Sequence, residues 1–154
     1  MQSLALAALM LASTASLSAQ TLQGSSATAA FEIDLAKIKW TSPSKTDSSA
    51  QYAILRADSL SGATQLIWRF RPDVKGPCEW HAANQSIMVV QGSIVVQRPG
   101  SSGSTLGVGG FGFMPKNTRF QLTVGSAPTI VFATMEGRLD FHPVSNSECS
   151  ASSK

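Results

Sequence analysis

The sequence predicts an all-β domain, a single barrel or sandwich of short strands. Two observations predict it: apolar residues recur with period two in short runs, and Gly- and Pro-bearing breaks separate those runs at regular intervals. Alternating strands and helices would leave long stretches with helical spacing between the strands, and the sequence has none.

The elements follow in chain order. Phe31, Ile33 and Leu35 alternate with Glu32 and Asp34, the pattern of a half-buried strand, with a short helix as the alternative. Residues 42–49 are polar, contain Pro43 and form a loop. Residues 51–56 and 64–71 are strands. In the second, Leu66, Trp68 and Phe70 share one face and Ile67, Arg69 and Arg71 the other. Residues 72–77, bounded by prolines, break the run. Residues 85–90 and 93–97 flank Gln91-Gly92, a hairpin signal. Residues 98–104 are a loop with Pro99, Gly100 and Gly103. Strands are then expected over 105–108, 111–114, 119–124, 130–134 and 139–141, and residues 145–154 read as a frayed polar tail. No internal repeat is visible.

The chain start has a different character. A short polar opening, an apolar run from Leu4 to Ala12 and small residues ending Leu17-Ser18-Ala19 form a secretory signal pattern with cleavage after Ala19. The apolar run is shorter than the roughly 20 residues a membrane helix needs. The domain map is therefore a signal peptide over 1–19, a lead-in over 20–30, one β domain over 31–143 and a polar tail over 144–154. What remains after cleavage suffices for one core and not for two. The expected location is periplasmic or secreted, with no membrane contact after cleavage.

Charge narrows the partners. Twelve Lys and Arg stand against nine Asp and Glu, for a net +3. The basic residues, among them Lys37, Arg56, Arg98 and Lys116, are scattered without a stripe, so nucleic acid is not an expected partner. Two cysteines, Cys78 and Cys149, either pair in an oxidising compartment or remain separate thiols. Parity turns Cys78 away from the barrel interior, and a bridge would tie down the tail.

The stretch Gly76-Pro-Cys-Glu-Trp-His-Ala-Ala-Asn-Gln-Ser-Ile-Met-Val-Val-Gln-Gly92 resembles the first motif of the cupin superfamily. In that motif His-x-His, a glutamate and a glycine follow an upstream glycine. Glu79 stands at the first histidine, His81 at the second, Gln85 at the glutamate and Gly92 at the last glycine. The second motif matches at Gly109 and Pro115, while Asn117 replaces a glycine and Phe120 replaces the histidine. The segments Ile38-Lys39-Trp40-Thr41, Met135-Glu136-Gly137 and Asp140-Phe141 resemble the flanks of small bacterial single-domain cupins, so the likeness spans residues 31–143. It implies a single cupin-like β-barrel, or jelly roll, whose metal-binding motifs are degenerate.

In metal-binding cupins the ring of motif residues holds an ion such as iron, manganese or zinc. Here it offers one imidazole, one carboxylate and one amide, so the expected cofactor is none or a weakly bound divalent transition metal on Glu79, His81 and Gln85. Without an ion, His81 is a barrel histidine bonded to Gln85 or Glu79, and Glu79 is a carboxylate at the mouth held by Arg69 or Arg71. His142 reads as a surface or packing residue. No nucleophile elbow, phosphate loop or hydrolytic triad is present in the pattern.

Three functions follow. The leading one is an exported protein binding a small, largely apolar molecule through Trp80, His81, Gln85, Met114 and Phe120, with little or no catalysis. The others are a metal-dependent dioxygenase, isomerase or decarboxylase, and an oligomer-forming module such as a homodimer.

Overall fold

The structure, a computed structural model, describes residues 30–150; the expected signal peptide, most of the lead-in and the end of the tail lie outside them. Ten strands form two antiparallel five-stranded sheets. The strands are β1 (Ala50–Ala57), β2 (Thr64–Phe70), β3 (Lys75–Trp80), β4 (Gln85–Gln91), β5 (Ile94–Gln97), β6 (Ser104–Leu106), β7 (Phe111–Met114), β8 (Phe120–Val124), β9 (Thr129–Met135) and β10 (His142–Val144). One sheet runs β1-β2-β9-β4-β7 and the other β10-β3-β8-β5-β6. From β2 to β10 the chain changes sheet at every step but β5 to β6, which is the jelly-roll arrangement. No helix among the described residues is long and apolar enough to cross a membrane.

Period-two alternation builds the core. Leu66 of β2, Ile87 and Val89 of β4, and Val131 and Ala133 of β9 come from one sheet; Ile94 and Val96 of β5 and Phe120 of β8 come from the other. The residues between them along each strand face outward. On the outer side of the first sheet Met88, Phe111 and Phe113 stay exposed.

Five expectations need correction. Residues 31–35 form no strand: the turn at Leu35–Lys37 is 3-10, with the Asp34 side chain accepting from the Ala36 amide, and Phe31, Ile33 and Leu35 stay exposed. The proline-bounded break extends only to Val74, because β3 tolerates Pro77 at a register irregularity between Lys75 and Cys78. Gln91-Gly92 closes no hairpin. β4 already has β9 and β7 on its two edges, and β5 has β8 and β6, so the turn carries the chain from one sheet to the other. Gly92 sits there at φ 75°, and a Cβ would lie 2.9 Å from the Pro128 carbonyl oxygen. The last strand is His142–Val144 rather than 139–141, because Asp140 spends its polar groups on the site described below.

The fifth correction concerns the tail. Asn146–Cys149 is a 3-10 turn packed on the outer face of β3 and β8, and Cys149 is fully buried. Cys78 and Cys149 form a disulfide with Cα atoms 5.7 Å apart, across 71 residues of sequence. The Asn146 side-chain oxygen accepts from the Cys78 amide at 2.9 Å and from the Gln121 amide group at 3.2 Å. Arg119 and Glu148 pair at 2.7 Å on the surface. Parity explains the geometry: Cys78 pairs with Gln121 on the outer face while its neighbour Glu79 points inward.

Closing a loop of this length removes about 4 kcal/mol of unfolded-chain entropy. Denatured, unreduced protein should therefore show no reactive thiol, and Cys149→Ser should lower stability by a few kcal/mol and expose the C-terminal turn to protease. Two free thiols per chain would contradict the bridge.

Candidate functional site

Between the sheets lies a cavity of about 310 Å³. Trp68 and Phe70 of β2, Ile87 of β4, Val131 of β9 and Phe120 and Leu122 of β8 supply apolar wall. Phe141 and Pro143 line it from the last segment of the chain. Among the described residues its ionisable or amide side chains are Glu79, His81 and Gln85, and no Lys or Arg lines it.

Strand register brings these groups together. Glu79 lies opposite Phe120 across β3 and β8, and Gln85 opens β4 in the facing sheet. His81 follows the end of β3, where its carbonyl accepts from the Asn117 amide at 2.8 Å. Asn117 occupies the place of the motif glycine and adopts the left-handed conformation, φ 64°, that glycine would supply. Asn84 holds the next turn by accepting from the Lys116 amide and donating to Glu136.

The His81 ring is fixed by a residue that sequence reasoning did not assign. Its Nδ1 lies 2.6 Å from the Asp140 backbone oxygen. A carbonyl only accepts, so Nδ1 carries the proton and Nε2 presents a lone pair. The Asp140 carboxylate accepts from the Ala82 amide at 3.1 Å and lies 2.9 Å from His142 Nε2. Burial opposes ionisation of Asp140, but the His142 and Ala82 bonds hold its carboxyl below the ordinary range.

Glu79 and His81 are both pushed toward neutrality. Burial raises the Glu79 carboxyl from 4.5 to about 7, and burial lowers the His81 imidazole against the opposing pull of Asp140. Their facing atoms, Oε1 and Nε2, are 4.0 Å apart. That distance is the outer limit for an ion pair and too long for a hydrogen bond, so neither group offsets the other's burial. The expected restraint of Glu79 by Arg69 or Arg71 does not occur. Arg69 donates to Gln51 and stacks on Trp40, while Arg71 pairs with Asp47.

Of the expected ligand-binding residues, His81, Gln85 and Phe120 line the cavity, whereas Trp80 and Met114 do not. Trp80 has the opposite parity to Glu79 and stacks on His142, ring centroids 3.9 Å apart. Met114 pairs with Gln85 across β7 and β4 and is absorbed into the core. The wall residues Trp68 and Phe70 were legible from the parity of β2 but were not assigned to the site.

The cupin resemblance implies a metal, which the donor set here meets only in part. Among the described residues no three of His, Cys, Asp and Glu are grouped to hold an ion. Phe120 packs its ring 5.5 Å from that of His81, where a further imidazole would be needed. One imidazole, one carboxyl and one amide do not fit a firmly held first-row ion. One feature favours an ion: Gln85 Oε1 is buried without a hydrogen-bond partner among the described residues.

No protein-family model matches the chain, and no curated protein matches it. Solved structures do. The polyketide cyclase RemF from Streptomyces resistomycificus aligns at TM-score 0.63 and 17% identity, over 80% of this chain and 91% of that one. An RmlC-like cupin protein from Ralstonia eutropha aligns at TM-score 0.60 and 14% identity, over 71% and 76%. A structure of the DMSP lyases RdDddP and RnDddQII aligns at TM-score 0.56 and 16% identity over 62% of this chain, which spans only 52% of that protein.

The buried pair has a pH signature. The raised Glu79 value means its contribution to stability is complete below about pH 4.5 and lost as pH rises through about 7. The lowered His81 value acts in the opposite sense, with stability present above 6.5 and lost as pH falls. Comparison with Glu79→Gln isolates the first effect. From below about pH 4.5 to above about pH 7 the variant should gain about 3 kcal/mol relative to wild type. Parallel pH–stability curves for the two proteins would contradict a buried, unpaired Glu79.

Proposed function

We propose that this chain, which has the cupin fold, is an exported binding protein that takes one small, uncharged, largely apolar molecule into its barrel. The carrying observation is the cavity lining: aromatic and aliphatic walls, no cationic side chain among the described residues, and three convergent polar groups of which burial works against charge on the two titratable ones. An anionic ligand would enter without a counter-charge and lose its hydration, whereas an apolar one gains by burial. Export is supported by the signal pattern over residues 1–19 and by the Cys78–Cys149 bridge, which persists in oxidising compartments. The fold hosts enzymes as well as binding proteins, so this lining and not the fold favours binding.

The unpartnered Gln85 oxygen favours a second reading, a weakly held divalent ion on Glu79, His81 and Gln85 in a variant cupin enzyme. His81 would be the strongest donor there. Elemental analysis after metal-supplemented expression separates the readings: a stoichiometric transition metal lost in His81→Ala supports the second.

For the first reading, an uncharged apolar reporter such as N-phenyl-1-naphthylamine should bind saturably at one site per chain. Leu122→Trp, which fills the cavity, should weaken binding by at least about tenfold with the strand content unchanged. Absence of saturable binding, or binding indifferent to the filled cavity, would contradict the proposal.

A further inference from the structure

We infer that the polar group this cavity recognises is a hydroxyl on an aromatic ring, seated between His81 Nε2 and the Glu79 carboxyl. The inference rests on the reading of the cavity as a ligand site and names the class of molecule it takes.

The Asp140 carbonyl, 2.6 Å from His81 Nδ1, can only accept, so the opposite nitrogen of the ring is an acceptor. That nitrogen has no hydrogen-bond partner within the described protein, and the His81 side chain is only 3% exposed. His81 lines the cavity, so a donor placed there can satisfy this acceptor. Across from it stands Glu79 Oε1 at 4.0 Å. An oxygen about 2.8 Å from both atoms subtends about 90° between them, which suits a hydroxyl that donates one bond and accepts another. The Glu79 carboxyl lies on the far side of that oxygen and, when protonated, turns an O–H toward it. One hydroxyl therefore satisfies both groups.

The walls decide what carries it. Trp68 and Phe70 stack at 5.6 Å and Phe141 meets Trp68 edge-on at 5.8 Å, so an inserted ring finds aromatic faces and edges. A sugar would bring several hydroxyls against three polar side chains. A carboxylate or phosphate would face an acceptor nitrogen with no Lys or Arg in the lining. A water between His81 and Glu79 makes the same two bonds, and a phenolic hydroxyl displaces it without losing either.

Three probes of matched shape test this by titration calorimetry at mildly acidic pH: 2-naphthol, 2-methylnaphthalene and 2-naphthoate. The naphthol should bind at least about tenfold more tightly than the methyl analogue. His81→Phe should erase that preference while retaining the methyl analogue. Glu79→Gln should keep it, because an amide N–H replaces the carboxyl O–H. Equal affinity for naphthol and methylnaphthalene, or tightest binding of the naphthoate, overturns the hydroxyl assignment and leaves the apolar site standing. Failure of all three to bind overturns both.

Discussion

The site depends on a single backbone contact, the hydrogen bond from His81 Nδ1 to the Asp140 carbonyl. It fixes the ring's tautomer and orientation, and it ties the end of β3 to the segment that carries Phe141 into the cavity wall. The same segment continues into β10, which pairs with β3 at Trp80, Glu79 and Cys78, and ends at the Cys78–Cys149 bridge. The polar end of the cavity and the covalent clamp of the fold thus share β3: Glu79 faces in and Cys78 faces out. Loosening the C-terminal turn would also loosen the residues that orient His81.

Burial without compensation gives the cavity its chemistry. In a cupin centre with more imidazoles, an ion would repay the cost of burying a carboxyl and a histidine. Phe120 removes one donor, and no Arg or Lys takes the ion's place. Burial shifts the remaining groups toward their neutral forms, the carboxyl up to about 7 and the imidazole down. A neutral polar end inside apolar walls selects by hydrogen-bond direction and shape rather than by charge.

Much of this was legible in the sequence, and the failures have physical causes. Period-two alternation and breaker residues located most strands, and parity correctly set Cys78 and Glu79 on opposite faces of β3. Parity also argued against Trp80, which nonetheless entered the expected site because the motif surrounds it. Gln91-Gly92 has the local chemistry of a hairpin, but which sheet a strand joins is decided by partners far away in sequence. The tail reads as frayed because a disulfide and the Asn146 bonds are long-range and leave no periodic trace. Asp140 escaped assignment for a simpler reason: it acts on His81 through a carbonyl that every residue possesses.

The most direct test is the protonation pattern of the His81 ring, read from its imidazole nitrogen shifts by 15N NMR on the full mature chain at neutral pH. The account predicts a neutral ring with the proton on Nδ1 and a free lone pair on Nε2. A proton on Nε2, or a ring that titrates at or above its ordinary value, would contradict it.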